Sequence, residues 1–62
     1  MTTKELINTF DSMQRNGGGF CRLLAQAWCK ADVANKVRIE KAFPHLLEDY
    51  GPGSAFYEER IL

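Results

Sequence analysis

Two cysteines and one histidine are the side chains of this sequence best suited to metal binding or nucleophilic chemistry. Cys21 and Cys29 lie eight residues apart. In a helix that spacing is about 12 Å of rise, whereas a disulfide needs Cα atoms within about 7 Å. His45 is the only histidine, so no zinc ligand set can be assembled. We therefore expect two small, buried, apolar cysteines in a reducing compartment, and no metal site.

His45 and two pairs of adjacent carboxylates are the remaining candidates for acid-base catalysis. No serine or cysteine stands at a spacing from His45 that indicates a base and its nucleophile. Neighbouring residues of a helix point apart, so the pairs Glu48-Asp49 and Glu58-Glu59 are typical of solvated faces. We predict no catalytic residues and a protein that is not an enzyme.

The run of three glycines at residues 17–19 raises the question of a phosphate-binding loop. Such loops need spaced glycines and a Lys-Ser/Thr pair, or a strand-glycine-helix unit with an acidic residue about 20 positions later. The run has neither the spacing nor a preceding strand. It indicates instead a helix end, in the left-handed conformation that glycine accepts, and a short connection. We expect no cofactor.

Helical periodicity predicts one all-α domain over residues 1–62, with three main helices, a short fourth helix and a docked C-terminal tail. The helices are predicted at about residues 3–15, 19–31, 33–43 and 44–50, and the tail at residues 51–62. Thr2 and Glu5 form a capping box at the start of the first helix, which we expect to be a one-sided surface helix. Its apolar face carries Leu6, Ile7, Phe10 and Met13, and its solvated face carries Glu5, Asn8, Asp11, Ser12 and Arg15.

The second predicted helix is apolar on nearly all sides. Only Arg22, Gln26 and Lys30 are polar, and their spacing of four places them in one narrow strip. A helix of this kind is normally buried nearly all round, which a chain of 62 residues cannot easily achieve alone. We therefore expect an intertwined homodimer. The residues predicted for the core and the dimer interface are Phe20, Leu24, Ala27, Trp28, Val33, Val37, Ile39 and Phe43.

The third predicted helix follows an N-cap at Asp32 and has apolar residues on two faces. Val33 and Val37 share one face, and the other carries Ile39, Ala42 and Phe43. Lys36 and Glu40 lie between these faces as an i,i+4 pair. Two apolar faces on a short helix indicate two packing partners.

The predicted tail contains too much apolar surface to stay in water. Two conformations fit its sequence: one or two helical turns capped by Ser54, or an extended arm. In either case we expect the tail to dock, within the chain or across onto a partner. Its apolar residues are Phe56, Tyr57, Ile61 and Leu62.

Charge gives a weak indication against nucleic acid as a partner. The chain has eight basic and eight acidic residues, whereas nucleic-acid modules usually carry a positive excess because they neutralise phosphates. Residues 30–41 nevertheless hold four basic against two acidic residues, and residues 48–60 hold four acidic against one basic. The second and third helices could thus form a helix-turn-helix with Asn35, Lys36 and Arg38 at the groove of DNA.

Nothing in the sequence approaches the roughly 20 apolar residues of a membrane span, and the N-terminus does not have the pattern of a signal peptide. We expect a cytoplasmic location and no contact with a membrane. The candidates for contact with a partner protein are Arg22, Gln26, Lys30, Lys36 and Arg38.

Residues 17–50 resemble small uncharacterised helical proteins of temperate phages and prophages, including those of the lambda-type early region. The residues that carry the resemblance are Phe20, Leu24, Ala27, Trp28, Ala31, Asp32, Asn35, Arg38, Ile39, Ala42, Phe43, Pro44 and Tyr50. The resemblance implies a phage-encoded accessory protein in a bacterial host, and it supplies no catalytic residues. From it and from the missing catalytic sets we predict a non-enzymatic protein that binds and modulates a host or phage protein. The alternative is a small DNA-binding regulator that uses residues 30–41.

Overall fold

The structure is a computed structural model that describes residues 1–61, which form four α-helices and a C-terminal tail without any strand. The helices are α1 (Thr3–Asn16), α2 (Gly19–Lys30), α3 (Val33–Ala42) and α4 (Pro44–Tyr50). The predicted all-α fold is confirmed. α1 ends one residue later than predicted, and α2 and α3 each end one residue earlier. Leu62, which the prediction includes in the docked tail, lies outside the described residues.

Side chains at the helix starts fix where α1 and α3 begin. The Thr2 hydroxyl accepts from the amide of Glu5 at 3.1 Å, and the Glu5 carboxylate accepts from the amide of Thr2 at 2.8 Å. Asp32 accepts from the amide of Asn35 at 2.8 Å. These bonds satisfy amides that have no partner inside the helix. The capping box and the N-cap predicted from the sequence are therefore both present.

The connection between α1 and α2 depends on Gly17, but for a different reason from the one predicted. Its φ of −84° and ψ of 165° are extended, so the predicted left-handed helix end is wrong. A Cβ at this position would lie 2.5 Å from the Cβ of Cys21 and 2.7 Å from the carbonyl oxygen of Met13. Gly17 is thus required by close approach of the two helices, whereas a Cβ on Gly18 or Gly19 would meet open space.

The core lies where α1 packs against α2 and α4. Its central contact is a stack of Phe10 on Trp28, with ring centroids 4.3 Å apart and planes 8° from parallel. The buried apolar residues are Phe10, Met13, Ala25, Trp28 and Leu46. Half-buried residues packed around them are Leu6, Ile7, Cys21, Leu24, Ile39, Phe43, Leu47 and Tyr50.

α1 rather than α2 is the most enclosed helix. Asn8, Thr9 and Ser12 are completely buried, so the prediction of a one-sided surface helix is wrong. In the single chain α2 buries only Ala25 and Trp28. The reason is that the C-terminal tail covers the polar face of α1, which the hydrophobic pattern assigns to water.

The main chain of the tail forms hydrogen bonds with side chains of α1. It turns over residues 51–56 and then runs to residue 61 without regular secondary structure, so it combines a turn with an arm. Asn8 donates to the carbonyl of Ile61 and accepts from its amide, both at 2.7 Å. Ser12 accepts from the amide of Glu58 at 3.0 Å, and Asn16 donates to the carbonyl of Phe56 at 3.4 Å. Asn8, Ser12 and Asn16 stand four residues apart, so they form one polar ladder along α1.

Ion pairs and a buried phenol complete the tail contact. Arg15 bridges Asp11 and Glu58, and Lys4 pairs with Glu59 at 3.0 Å. The Tyr57 hydroxyl is buried and has no hydrogen-bond partner within residues 1–61. Burial, followed by the nearby Glu59 carboxylate, raises the pKa of this phenol above its usual value. Tyr57 is therefore neutral across the physiological pH range.

We predict that Asn8→Ala lowers the stability of the fold and releases the tail. The substitution removes both bonds to Ile61, and a typical net contribution is about 1 kcal/mol each. In a domain of this size that loss lowers Tm by roughly 8–16 °C. Thermal unfolding by circular dichroism measures the first effect, and amide hydrogen exchange at Ile61 measures the second.

The matched control is Asn35→Ala, which removes an exposed amide on α3 and is expected to change the stability by less than about 0.5 kcal/mol. Equal melting temperatures for the two variants, with unchanged exchange at Ile61, would contradict a role of Asn8 in holding the tail.

Candidate functional site

A groove of about 510 Å³ lies between the first half of α1, the end of α2 and the outer face of α3. Its volume falls within the roughly 300–1,000 Å³ of ligand-binding pockets. The lining is mainly apolar, and its charged groups are one ammonium and one carboxylate. The residues that line the groove are Thr3, Leu6, Ile7, Trp28, Cys29, Val33, Lys36, Val37 and Glu40.

The sequence opens this groove by dividing the apolar residues of α3 between two faces. Ile39 and Phe43 pack against the core cluster, which turns Val33 and Val37 away from it. Val33 is 78% exposed and Val37 is 39% exposed. Because α3 begins three residues after α2 ends, Val33 stays close to Cys29 and lines the same groove. α3 accordingly contributes a wall to the groove and no fully buried residue to the core.

Trp28 connects the groove to the core. Phe10 covers one face of its ring, and the Lys36 ammonium lies over the ring at 4.8 Å from the centroid. The two groups must occupy opposite faces, because the stacked phenyl ring leaves no room on its own side. The indole N–H donates to Oε2 of Glu40 at 2.9 Å, which satisfies a donor that would otherwise be buried without a partner.

The structure separates the residues predicted for the core and dimer interface into three groups. Trp28 is buried, and Leu24, Ile39 and Phe43 are half-buried against the core. Four others are exposed in the single chain: Phe20, Ala27, Val33 and Val37. Phe20 makes an edge-to-face contact with Phe43, with 5.6 Å between the ring centroids. The groove brings Trp28, Val33 and Val37 together and leaves Phe20 and Ala27 outside.

The residues predicted to contact a partner are likewise divided. Arg22, Gln26 and Lys30 are exposed on α2 and do not line the groove. Lys36 lines the groove and lies over Trp28. Arg38 is exposed and donates to the side chain of Asn35 at 2.8 Å. Lys36 therefore has an intramolecular contact that the proposed helix-turn-helix does not require.

Sequence reasoning did not identify Leu6, Ile7, Cys29 and Glu40 as groove residues. Successive helix residues are about 100° apart, so the adjacent residues Leu6 and Ile7 give α1 a wider apolar face than the core alone needs. Both residues pack at the edge of the core and also line the groove. The wide apolar face is a signal for a second apolar contact.

Cys29 is exposed and Cys21 is half-buried, so the expectation of two buried cysteines is wrong for Cys29. Nothing in the spacing of Glu40 could reveal its bond to Trp28.

The described residues contain no group of three or more metal-ligating side chains placed to hold an ion. Within the same residues, no helix combines the length and the apolar character that crossing a membrane requires. Comparison with known protein families, curated proteins and solved structures finds no match to this chain.

Replacing Trp28 is expected to destabilise the fold severely. Trp28→Ala removes the stack on Phe10 and leaves a cavity, at a cost of about 3–5 kcal/mol. Urea denaturation followed by circular dichroism would show the loss as a lower midpoint at an unchanged slope.

Gln26→Ala is the control from the same helix, because its side chain is exposed and its removal is expected to cost less than about 0.5 kcal/mol. A Trp28→Ala midpoint as high as that of Gln26→Ala would show that the stack does not hold α1 against α2.

Proposed function

We propose that this chain is a non-enzymatic accessory protein whose groove between α1, α2 and α3 binds another protein. One observation carries the proposal: the chain leaves an apolar groove open to solvent although a domain of this size has little apolar surface to spare. Val33, one of its walls, is 78% exposed. Exposed apolar patches of this kind, rimmed by polar groups, mark interaction sites.

The resemblance to phage accessory proteins supplies the setting of the proposal. Such a protein would act in the cytoplasm of a bacterial host by modulating a host or phage protein. The regulator alternative has less support from the geometry, because Lys36 is drawn onto Trp28 and Arg38 is bonded to Asn35. Free basic side chains are what a phosphate-binding surface needs.

Val33→Glu is expected to abolish capture of the partner. A carboxylate in place of Val33 removes the apolar wall against which a partner would pack and puts there a charge that binding must desolvate, which is unfavourable. The wild-type chain, Val33→Glu and the control Ala34→Glu serve as baits in affinity capture from host lysate, with quantitative mass spectrometry. Ala34 is exposed on the same helix and does not line the groove.

A partner retained by the wild type and Ala34→Glu but lost by Val33→Glu is the expected result. Identical captured proteins for all three baits would reject the groove as the binding site. A gel shift that is strong at low salt and weakens steeply as salt rises would favour the DNA-binding regulator instead.

We also propose that a second copy of the chain covers the outer face of α2. Phe20 and Leu23 are 61% and 68% exposed, and Ala27 is exposed on the same side of the helix. These residues recur at helical spacing and form one apolar face outside the groove. A homodimer would remove this face from water and leave the groove free for the partner.

The dimer predicts a mass of twice 7.1 kDa by light scattering at micromolar concentration, and Leu23→Glu is expected to reduce it to that of a single chain. Gln26→Glu adds the same charge to the polar strip of the same helix and should leave the mass unchanged. A folded wild-type protein with the mass of one chain would refute the dimer.

A further inference from the structure

One face of Trp28 faces the groove, and a cation already covers it. The Lys36 ammonium lies 4.8 Å from the ring centroid, within the roughly 6 Å at which a cation is attracted by an aromatic ring. The ammonium is carried by a flexible side chain, and Lys36 remains partly exposed. The ammonium can therefore leave the ring and move into water without disturbing α3.

Glu40 places a carboxylate beside the same ring without a cation of its own. Its Oε2 accepts from the indole N–H at 2.9 Å. The ion pairs within residues 1–61 join other groups: Lys4 with Glu59, and Arg15 with Asp11 and Glu58. Although Lys36 is four residues away on the same helix, its ammonium lies on the ring and not on this carboxylate. Glu40 thus keeps the capacity to bind a second cation.

The charges that line the groove favour a cation over an anion as its occupant. Lys36 and Glu40 are the charged residues among the lining. When Lys36 moves into water, the aromatic face and the carboxylate remain, and both attract positive charge. An anion would have to draw Lys36 off the ring and would then meet Glu40, whose charge repels it.

The size and walls of the groove describe the rest of the occupant. A volume of about 510 Å³ exceeds what one basic side chain fills. The walls beside Trp28 are aliphatic, formed by Leu6, Ile7, Val33 and Val37. Apolar groups next to the cation would remove these walls from water, and the methylene groups of a lysine or arginine stem would pack there as well.

We propose that the groove binds a partner protein through a lysine or arginine side chain flanked by apolar residues. The partner's cation replaces the Lys36 ammonium over Trp28, where the nearby Glu40 carboxylate attracts it, while its apolar neighbours contact Val33 and Val37. When no partner is bound, the Lys36 ammonium occupies the position over the Trp28 ring. This inference rests on the proposed function and names the chemistry of the partner.

Trp28 provides the readout, because it is the only tryptophan of the chain. Three short capped peptides free of tryptophan and tyrosine are titrated into the full chain while its fluorescence is followed. Each has the same leucine-rich sequence, with lysine, glutamate or norleucine at the central position. The variants are Lys36→Met, which keeps an apolar stem without the charge, and Glu40→Gln, which keeps a carbonyl acceptor for the indole N–H.

We expect Lys36→Met to bind the lysine peptide about tenfold tighter than the wild type, since the internal competitor for the ring is gone. Glu40→Gln is expected to bind it about tenfold more weakly, because the carboxylate that attracts the cation is lost. The controls Lys41→Met and Glu48→Gln remove the same charges from exposed positions outside the groove and should match the wild type. Thermal unfolding of each variant verifies that it is folded.

Tighter binding of the glutamate peptide, equal binding of the lysine peptide by Lys36→Met and the wild type, or no binding of any peptide would each overturn the inference. Tight binding of the norleucine peptide with no preference for lysine would also overturn it, yet would leave the groove as a protein-binding site. Loss of the proposed function itself would appear in the capture experiment, as a partner retained by Val33→Glu.

Discussion

The stack of Phe10 on Trp28 is the contact on which the rest of this fold depends. It joins α1 to α2 at the centre of a core with few fully buried apolar residues. Aromatic pairs contribute about 0.5–1.5 kcal/mol beyond the area they bury, a large share of the stability available to a small domain. The same indole binds Glu40 and underlies Lys36, so it also sets the position of α3. Trp28 thus contributes one face of its ring to the core and the other face to the groove.

A second constraint is that few residues are available to enclose α1. The tail covers this helix through hydrogen bonds as well as apolar contacts, because Asn8, Ser12 and Asn16 bind its main chain. Buried polar groups are tolerated when they are fully paired, and Asn8 uses both ends of its amide. The tail covers α1 in this way, while apolar residues of α2 and α3 such as Leu23 and Val33 remain exposed.

The sequence predicts the parts of the fold that depend on local rules. Thr2, Asp32 and Pro44 mark helix starts because capping and backbone restriction act within a few residues. The sequence fails where distant segments meet. Nothing near Asn8 or Ser12 indicates that the main chain around Glu58 and Ile61 will cover them. A pattern based on hydrophobicity assigns every polar residue to water. It therefore predicts a solvent-facing α1 and a buried α2, whereas the structure encloses α1 and buries only two residues of α2.

The candidate site shows the same division between local and distant information. The two apolar faces of α3 are visible in the spacing of Val33, Val37 and Ile39, and they predict that one face packs elsewhere. The partnership of Trp28 with Phe10 and Glu40 is not visible, since these residues belong to three helices. The sequence also predicts Lys36 as a contact for a partner protein, but its position over an aromatic ring follows only from the packing of α2 against α3.

The polar ladder of α1 also has a consequence for how the protein is made. Asn8 and its partner Ile61 are 53 residues apart in the chain. At a synthesis rate of about 5–20 residues per second, roughly 3–10 s pass between their addition to the growing chain. Until the tail is made, its bonds to Asn8 and Ser12 cannot form, and water is the alternative partner for these polar groups. α1 is therefore made well before the tail residues that cover it, and its polar face favours hydration until they arrive.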